Sequence, residues 1–158
     1  DKFPYITDEV VRKEQMSKLV EIWLKMFKLE NLKDTNIPNE IKLRVDKNTR
    51  VLLDLIQFSI DRGYKPALVI LPMSGLLNSF FSEEFIDITL NKMFRAVQTK
   101  YKIPCLYYRK HKDYLLDETM YLDGGFRMSS KGSIHFIKMV LHDLNNYGYN
   151  LTNTVMSK

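Results

Sequence analysis

The chain has 158 residues, of which 45% are hydrophobic and 12% aromatic, a composition that fits one globular domain and excludes a disordered polymer. Its net charge of +5 favours an anionic partner, although 24 basic and 19 acidic residues are mixed along the sequence as on a solvated surface. Cys105 is the single cysteine, which excludes an intramolecular disulfide. We expect one α/β domain over residues 1–158, or the C-terminal part of one, with a frayed tail at 146–158. The start at Asp1 indicates a processed product or a fragment.

Apolar residues at three- and four-residue spacing predict four amphipathic helices. Asp8, or Thr7 in its place, is a suitable cap for the first, and Gly63 is suited to end the second. Ser82 is expected to cap the third, and Ser129 or Ser130 the fourth. The predicted helices cover 8–30, 40–62, 82–100 and 130–145.

Two short apolar runs between the helices predict buried strands. The pentapeptide 67–71 is apolar throughout and stops at Pro72, which suits a buried parallel strand better than a helix. A second strand is predicted at 105–108, and a third is expected if 120–122 pairs. Because strands and helices alternate, we expect a three-layer α/β fold, a parallel sheet with flanking helices. Because so few strands would make a very small sheet, we expect that a missing N-terminal segment or another chain completes it.

In parallel sheets, ligands bind beyond the carboxyl ends of the strands. This rule points to three loops, at 72–81, 109–117 and 123–131. The loops hold polar side chains suited to bind a substrate or take part in catalysis. The substrate-binding candidates are Ser74, Asn78, Arg109, Arg127 and Lys131, and the catalytic candidates are His111 and Asp123.

Two motifs carry a resemblance to a known family. The strand that ends in VILPMSG at 69–75, and YLDGGFRMSSKG at 121–132 before the last helix, resemble the C-terminal half of SGNH (GDSL-type) hydrolases and acyltransferases. The likeness covers roughly residues 45–145 and is greatest to the D-alanyl transfer proteins of teichoic-acid D-alanylation. It implies a flavodoxin-like or SGNH-like sheet. It also implies an esterase or acyltransferase that acts on acyl or D-alanyl esters of a bacterial cell-wall polymer, at an extracytoplasmic, membrane-associated location.

The chain departs from that family at its catalytic residues. Counting back from Lys131, the position of the family's catalytic His holds Arg127, and the family's Asp falls near Asp123. No Gly-Asp-Ser tripeptide occurs in the sequence. An Arg cannot replace the His, because its guanidinium stays protonated and cannot accept a proton from a serine. The chain is therefore expected to be catalytically incomplete.

The alternative is a non-catalytic binding module for an anionic cell-wall polymer. In this reading the basic side chains of two loops form a rim that holds the polymer. The rim would consist of Arg109, Lys110, Lys112, Arg127 and Lys131. A nucleic-acid partner is not expected, since no nucleic-acid-binding motif accompanies the positive charge.

The three histidines leave two interpretations open. His135, Lys138 and His142 share a face of the last helix, a stripe typical of a solvated surface, opposite the apolar stripe that includes Ile134 and Ile137. His111 is either a base or part of a flexible basic loop. The histidines lack metal-ligand spacing with Cys105 or with nearby carboxylates, so the sequence predicts no metal and no cofactor. Asp123 could equally orient a base or form the turn before two glycines.

Overall fold

A computed structural model describes residues 8–26, 37–122, 125 and 127–149. These residues are mostly helical, and their strands are short. The helices are α1 (Glu9–Met26), α2 (Asn39–Asp61), α3 (Gly75–Asn78), α4 (Glu83–Ile86), α5 (Lys92–Lys100), α6 (Lys112–Leu116) and α7 (Ser130–Asn146), and the strands are β1 (Leu68–Ile70) and β2 (Cys105–Tyr107). A π-helical segment (Asp87–Asn91) joins α4 to α5, and a 3-10 turn (Glu118–Met120) follows α6.

The sheet consists of β1 and β2, which pair in parallel as predicted. Val69 lies opposite Leu106 in the register. Helix α7 packs on one face of this pair, where Leu144 joins Leu106 in one apolar cluster. On the other face of β2, the ring of Tyr107 meets that of Phe94 from α5 at 5.1 Å between centroids.

The prediction of a three-layer α/β sheet fold is wrong. Within the described part of the chain the sheet has two strands of three residues each. The strand expected at 120–122 does not form, because Met120 ends the 3-10 turn and Tyr121 makes only an isolated antiparallel bridge with Met128. The pentapeptide at 67–71 is also less buried than expected: β1 is half-buried, and Leu71 is 58% exposed.

The helix ends agree well with the sequence signals. Asp8 Oδ1 accepts hydrogen bonds from the backbone N–H groups of Val10 and Val11, so it caps α1. Gly63 follows α2 with a φ of 77°, a conformation that glycine adopts without strain. Ser82 Oγ accepts from Phe85 N at 3.1 Å and caps α4.

The buried face of α7 differs from the predicted one. Ile134 and Ile137 are more than half exposed, whereas Phe136 and Met139 pack against the buried clusters. The helix is therefore rotated relative to the apolar stripe that the sequence suggested, and the side chain of His135 is only 38% exposed.

Helix α1 is joined to the rest of the described chain by one ion pair and one apolar cluster. The buried side chain of Arg12 pairs with Glu118, far along the sequence. Met16 and Val20 pack with Leu77 of α3.

Candidate functional site

The loops that follow β1 and β2 lie side by side, as the parallel pairing requires. Met73 N donates a hydrogen bond to Arg109 O at 3.1 Å, which joins the two loops directly. Gly75, at the start of α3, is so close to α6 that a Cβ there would lie 2.8 Å from Leu115 O. The two loops therefore form one continuous end of the molecule.

Ser74 and Asn78 hold the turn into α3. Ser74 is 1% exposed, and its Oγ accepts a hydrogen bond from Leu77 N at 3.0 Å. Asn78 Nδ2 donates to Met73 O at 3.1 Å and to Ser74 O at 3.0 Å. A ligand could reach Ser74 only if this turn opened, so the structure gives both residues a role in local folding.

The basic residues expected to bind substrate are largely neutralised by carboxylates. Arg109 is 1% exposed and donates two hydrogen bonds to Glu83, at 3.1 and 3.2 Å. Lys110 Nζ lies 2.9 Å from the same carboxylate. Hydrogen bonds from Arg109 and then Lys110 lower the pKa of Glu83 to about 2. The Glu83 carboxylate thus forms ion pairs with both Arg109 and Lys110.

Lys131 belongs to a second such arrangement. Its Nζ lies 2.6 Å from Asp117 Oδ2 and 2.8 Å from Thr119 Oγ1, and the bonds from Lys131 and Thr119 lower the pKa of Asp117. Arg127 is exposed, and its backbone carbonyl accepts from Leu122 N at 2.8 Å. The predicted catalytic residue Asp123 lies outside the described residues. The structure therefore does not bring the expected basic rim together as a set of unpaired charges.

His111 instead lines a groove together with the other two histidines of the chain. The groove lies between the end of β2 and helix α7, and its volume is about 410 Å³. We call it the histidine groove. Its lining residues are Tyr108, His111, His135, Lys138, Met139, His142 and Asp143.

Asp113 on α6 links two of these histidines. Its Oδ2 atom lies 3.0 Å from His135 Nε2 and 3.9 Å from His111 Nδ1. Because an ionised carboxylate only accepts hydrogen bonds, the neutral His135 ring must donate from Nε2 and keep its lone pair on Nδ1. The Nδ1 atom of His111 is buried and has no hydrogen-bond partner among the described residues.

Two tyrosines, Tyr108 and Tyr114, pack next to the histidines of the groove. Tyr114 OH donates to Gly132 O at 2.6 Å, and its ring lies 5.7 Å from that of His135. Burial raises the pKa of Tyr114 to about 12. Tyr108 OH donates to Asp143 Oδ2, and burial together with this carboxylate raises the pKa of Tyr108 further. Both phenols therefore stay protonated at ordinary pH and act as donors that fix the backbone and Asp143.

The sequence singled out His111 and assigned His135, Lys138 and His142 to one solvated stripe. Lys138 and His142 are indeed exposed, but the stripe also lines the groove, and His135 is only partly exposed. The signal that could have shown this is the apolar pair Phe136 and Met139, which places His135 next to the buried face. Asp113 carried no signal beyond its position in the second loop.

No group of three or more His, Cys, Asp or Glu side chains in the described ranges is arranged to hold a metal ion. Among these residues, none of the helices has both the length and the hydropathy that a bilayer crossing needs.

Comparisons with known proteins add no relative. No protein-family model matches the sequence, and neither the curated proteins nor the solved structures contain a significant match. The resemblance to SGNH-type proteins therefore rests on the motifs of the sequence itself.

Proposed function

We propose that this chain is a non-catalytic binding module for an anionic cell-surface polymer, related to the SGNH-type proteins and holding the polymer in the histidine groove. The observation that carries the proposal is the convergence of three imidazoles and the ammonium group of Lys138 on one groove. Cationic and N–H donor groups brought together from separate elements recognise the oxygen atoms of an anion. The excess of basic over acidic residues in the whole chain acts in the same direction.

The shape of the groove favours a segment of polymer over an enclosed small molecule. Lys138 and His142 are exposed, so the groove is open along α7. Its volume of about 410 Å³ falls within the usual range of ligand pockets. A polymer unit can therefore enter while the rest of the chain continues into solvent.

The proposal differs from the basic rim expected from the sequence. Arg109 is buried against Glu83, and Lys131 is paired with Asp117. Releasing either base for a ligand would cost its present ion pair. Lys138 of the groove is exposed and needs no such release, which favours the groove as the anion site.

An esterase or acyltransferase of the SGNH type is the second candidate, favoured by the contact between Asp113 and His135. A carboxylate that orients an imidazole leaves the second ring nitrogen able to act as a general base. However, none of the described residues that line the groove is Ser, Thr or Cys. Ser74 is buried as a helix cap. The described lining of the groove thus supplies a base without a nucleophile beside it, and this favours binding over covalent catalysis.

The binding proposal predicts that a linear polyphosphate binds the chain at pH 6, whereas the neutral polymer dextran does not. Replacing Lys138 by Ala should weaken polyphosphate binding by roughly tenfold, the usual effect of losing one charge-assisted contact. Lys102→Ala is the matched control, because Lys102 is an exposed lysine that precedes β2, at the other end of the strand from the groove. Isothermal titration calorimetry at two salt concentrations measures these affinities, which should fall as salt rises.

Two results would contradict the binding proposal. One is an equal loss of affinity in Lys138→Ala and Lys102→Ala, which would indicate general surface charge. The other is turnover: release of acetate from an O-acetylated polymer that is abolished in Asp113→Asn would replace the binding module by the esterase. We expect no turnover.

A further inference from the structure

The titratable side chains at the histidine groove give the proposed anion site a net charge that depends on their protonation. Lys138 is the fixed cation among the lining residues, and Asp143 is the carboxylate among them. Asp113 contacts the His135 ring at 3.0 Å without itself lining the groove. With neutral imidazoles, the ammonium group of Lys138 is therefore balanced by the carboxylate of Asp143, which gives an anion little net attraction. With protonated imidazoles, three more cations line the groove, and its local charge becomes positive.

The phenols near the groove do not change this balance. Tyr108 and Tyr114 pack against the ring of His111, and burial raises the pKa of each phenol. Both phenols therefore stay neutral between pH 5 and 8. Lys112, the exposed neighbour of Asp113, is a further cation outside the described lining of the groove. Histidine is the side-chain type whose charge ordinarily changes between pH 5 and 8, and three histidines line the groove.

Protonation also changes the hydrogen-bonding character of His135. While Asp113 holds Nε2–H, the neutral ring offers only a lone pair at Nδ1, which repels an anionic oxygen. The protonated ring keeps its bond to Asp113 and gains an N–H donor at Nδ1. Asp113 therefore holds the His135 ring in both protonation states. Protonation then converts Nδ1 of this ring from an acceptor into a donor.

We propose that the histidine groove is a proton-gated phosphate site, which captures phosphate groups of a polymer in mildly acidic surroundings and releases them near neutral pH. This inference rests on the proposed function and specifies its ligand and its regulation. Phosphate fits better than carboxylate, because its oxygens point in several directions and can meet donors from His111, His135 and Lys138 together. Planar carboxylates are bound best by the guanidinium fork of arginine, and the part of the groove lining that the structure describes contains no arginine.

The test compares binding of a linear polyphosphate at pH 5.5 and pH 7.5. Internal phosphates of this polymer stay ionised at both values, so the titration of the ligand does not contribute. We expect at least roughly tenfold tighter binding at pH 5.5, since each gained positive charge at a contact adds to polyanion affinity. Polygalacturonate, a carboxylate polymer, should bind more weakly than polyphosphate at pH 5.5.

Variants separate the gate from the binding site. The triple variant His111→Gln, His135→Gln, His142→Gln should lose the difference between the two pH values. His142→Gln alone, an exposed position that leaves the packing intact, should reduce it. Lys138→Ala should weaken binding at both pH values and keep their ratio. Lys102→Ala should change neither quantity.

These outcomes distinguish failure of the proton gate from failure of the proposed binding function. Equal affinity at both pH values, together with weakening in Lys138→Ala, would overturn the gate and leave the binding module standing. A pH difference that persists in the folded triple variant, or in His142→Gln at full size, would also overturn the gate. Absence of binding at both pH values would overturn the proposed function and the gate with it.

Discussion

Glu83 shows how one exposed carboxylate can carry two structural tasks. Its side chain is 65% exposed, yet it accepts two hydrogen bonds from the buried guanidinium of Arg109 and one ion pair from Lys110. These partners lower its pKa from 4.5 to about 2. The same carboxylate begins α4, where a negative charge is favourable to the helix dipole.

The lowered pKa of Glu83 predicts a specific loss of stability in acid. Above pH 4.5 the carboxylate is ionised in the folded and unfolded states alike, and its stabilising effect is fully present. As pH falls from 4.5 towards about 2, the unfolded chain binds a proton that the folded chain does not, so this stabilisation is lost. Because most of the side chain is exposed to screening solvent, we expect the contribution to be about 1 kcal/mol.

Urea unfolding of Glu83→Gln, measured at pH 7 and pH 3, checks this prediction. The variant should be less stable than the parent at pH 7, and this difference should be smaller at pH 3. Glu84→Gln is the control, because Glu84 is the exposed neighbour in the same helix. A Glu83→Gln variant with parental stability at pH 7 would show that the ion pair with Arg109 does not stabilise the fold.

The sequence shows each of these residues but not their pairing. Arg109 was expected to bind substrate because it follows a strand in a loop rich in charge. Glu83 lies 26 residues earlier, in the first turn of α4. Their contact depends on how α4 packs beside the end of β2, and local spacing contains no information about that approach.

Helix α7 is the element on which the histidine groove depends, and its first turn is fixed by close backbone contact. Ser129 Oγ accepts from Gly132 N at 3.1 Å and donates to Thr119 O at 2.7 Å, so it caps the helix and joins it to the 3-10 turn. A Cβ atom on Gly132 would lie 2.1 Å from Met120 O. No side chain fits there, because the obstacle is backbone.

Gly132→Ala is therefore predicted to destabilise the fold although alanine is the better helix former. The gain in helix propensity is about 1 kcal/mol, whereas the forced shift of α7 against backbone should cost about 3 kcal/mol or more. Thermal unfolding followed by circular dichroism measures the difference. Ile134→Ala, a change at an exposed position of the same helix, should stay within about 0.5 kcal/mol of the parent. Equal stability of Gly132→Ala and the parent would contradict the close packing of α7 on the turn.

The position of α7 in the sequence was predicted almost to the residue, and its orientation was not. Serine followed by an apolar repeat identifies the helix start from local chemistry alone. The rotation of the helix depends on which of two apolar sets is buried. Ile134 and Ile137 compete with Phe136 and Met139, and only the packing against Leu106 and Tyr121 decides between them. The groove was missed for the same reason, because His135 and His142 follow the rotation of α7.

At the scale of the whole molecule, the sequence predicted local elements better than their assembly. The apolar run at 67–71 correctly indicated a strand parallel to the next one. The alternation of helices and strands then suggested a larger sheet than the two strands of the described residues. Composition cannot distinguish a strand in a wide sheet from a half-buried strand in a narrow one, since both are short and apolar.

We propose one functional surface, at the end of this small sheet. Buried or paired charges, such as those of Arg109 and Lys131, hold the loops together there. The groove beside them combines three histidines with an exposed lysine. The central claim is that an anionic polymer binds at this groove rather than over the basic surface in general.

Nuclear magnetic resonance mapping of a short polyphosphate onto the isotope-labelled chain at pH 6 tests this claim most directly. We predict that the largest chemical-shift changes fall on His111, His135, Lys138 and His142, with saturation at one common affinity. Changes that are largest at exposed lysines of α1 and α2, or that spread evenly over the basic surface without saturation, would contradict the account.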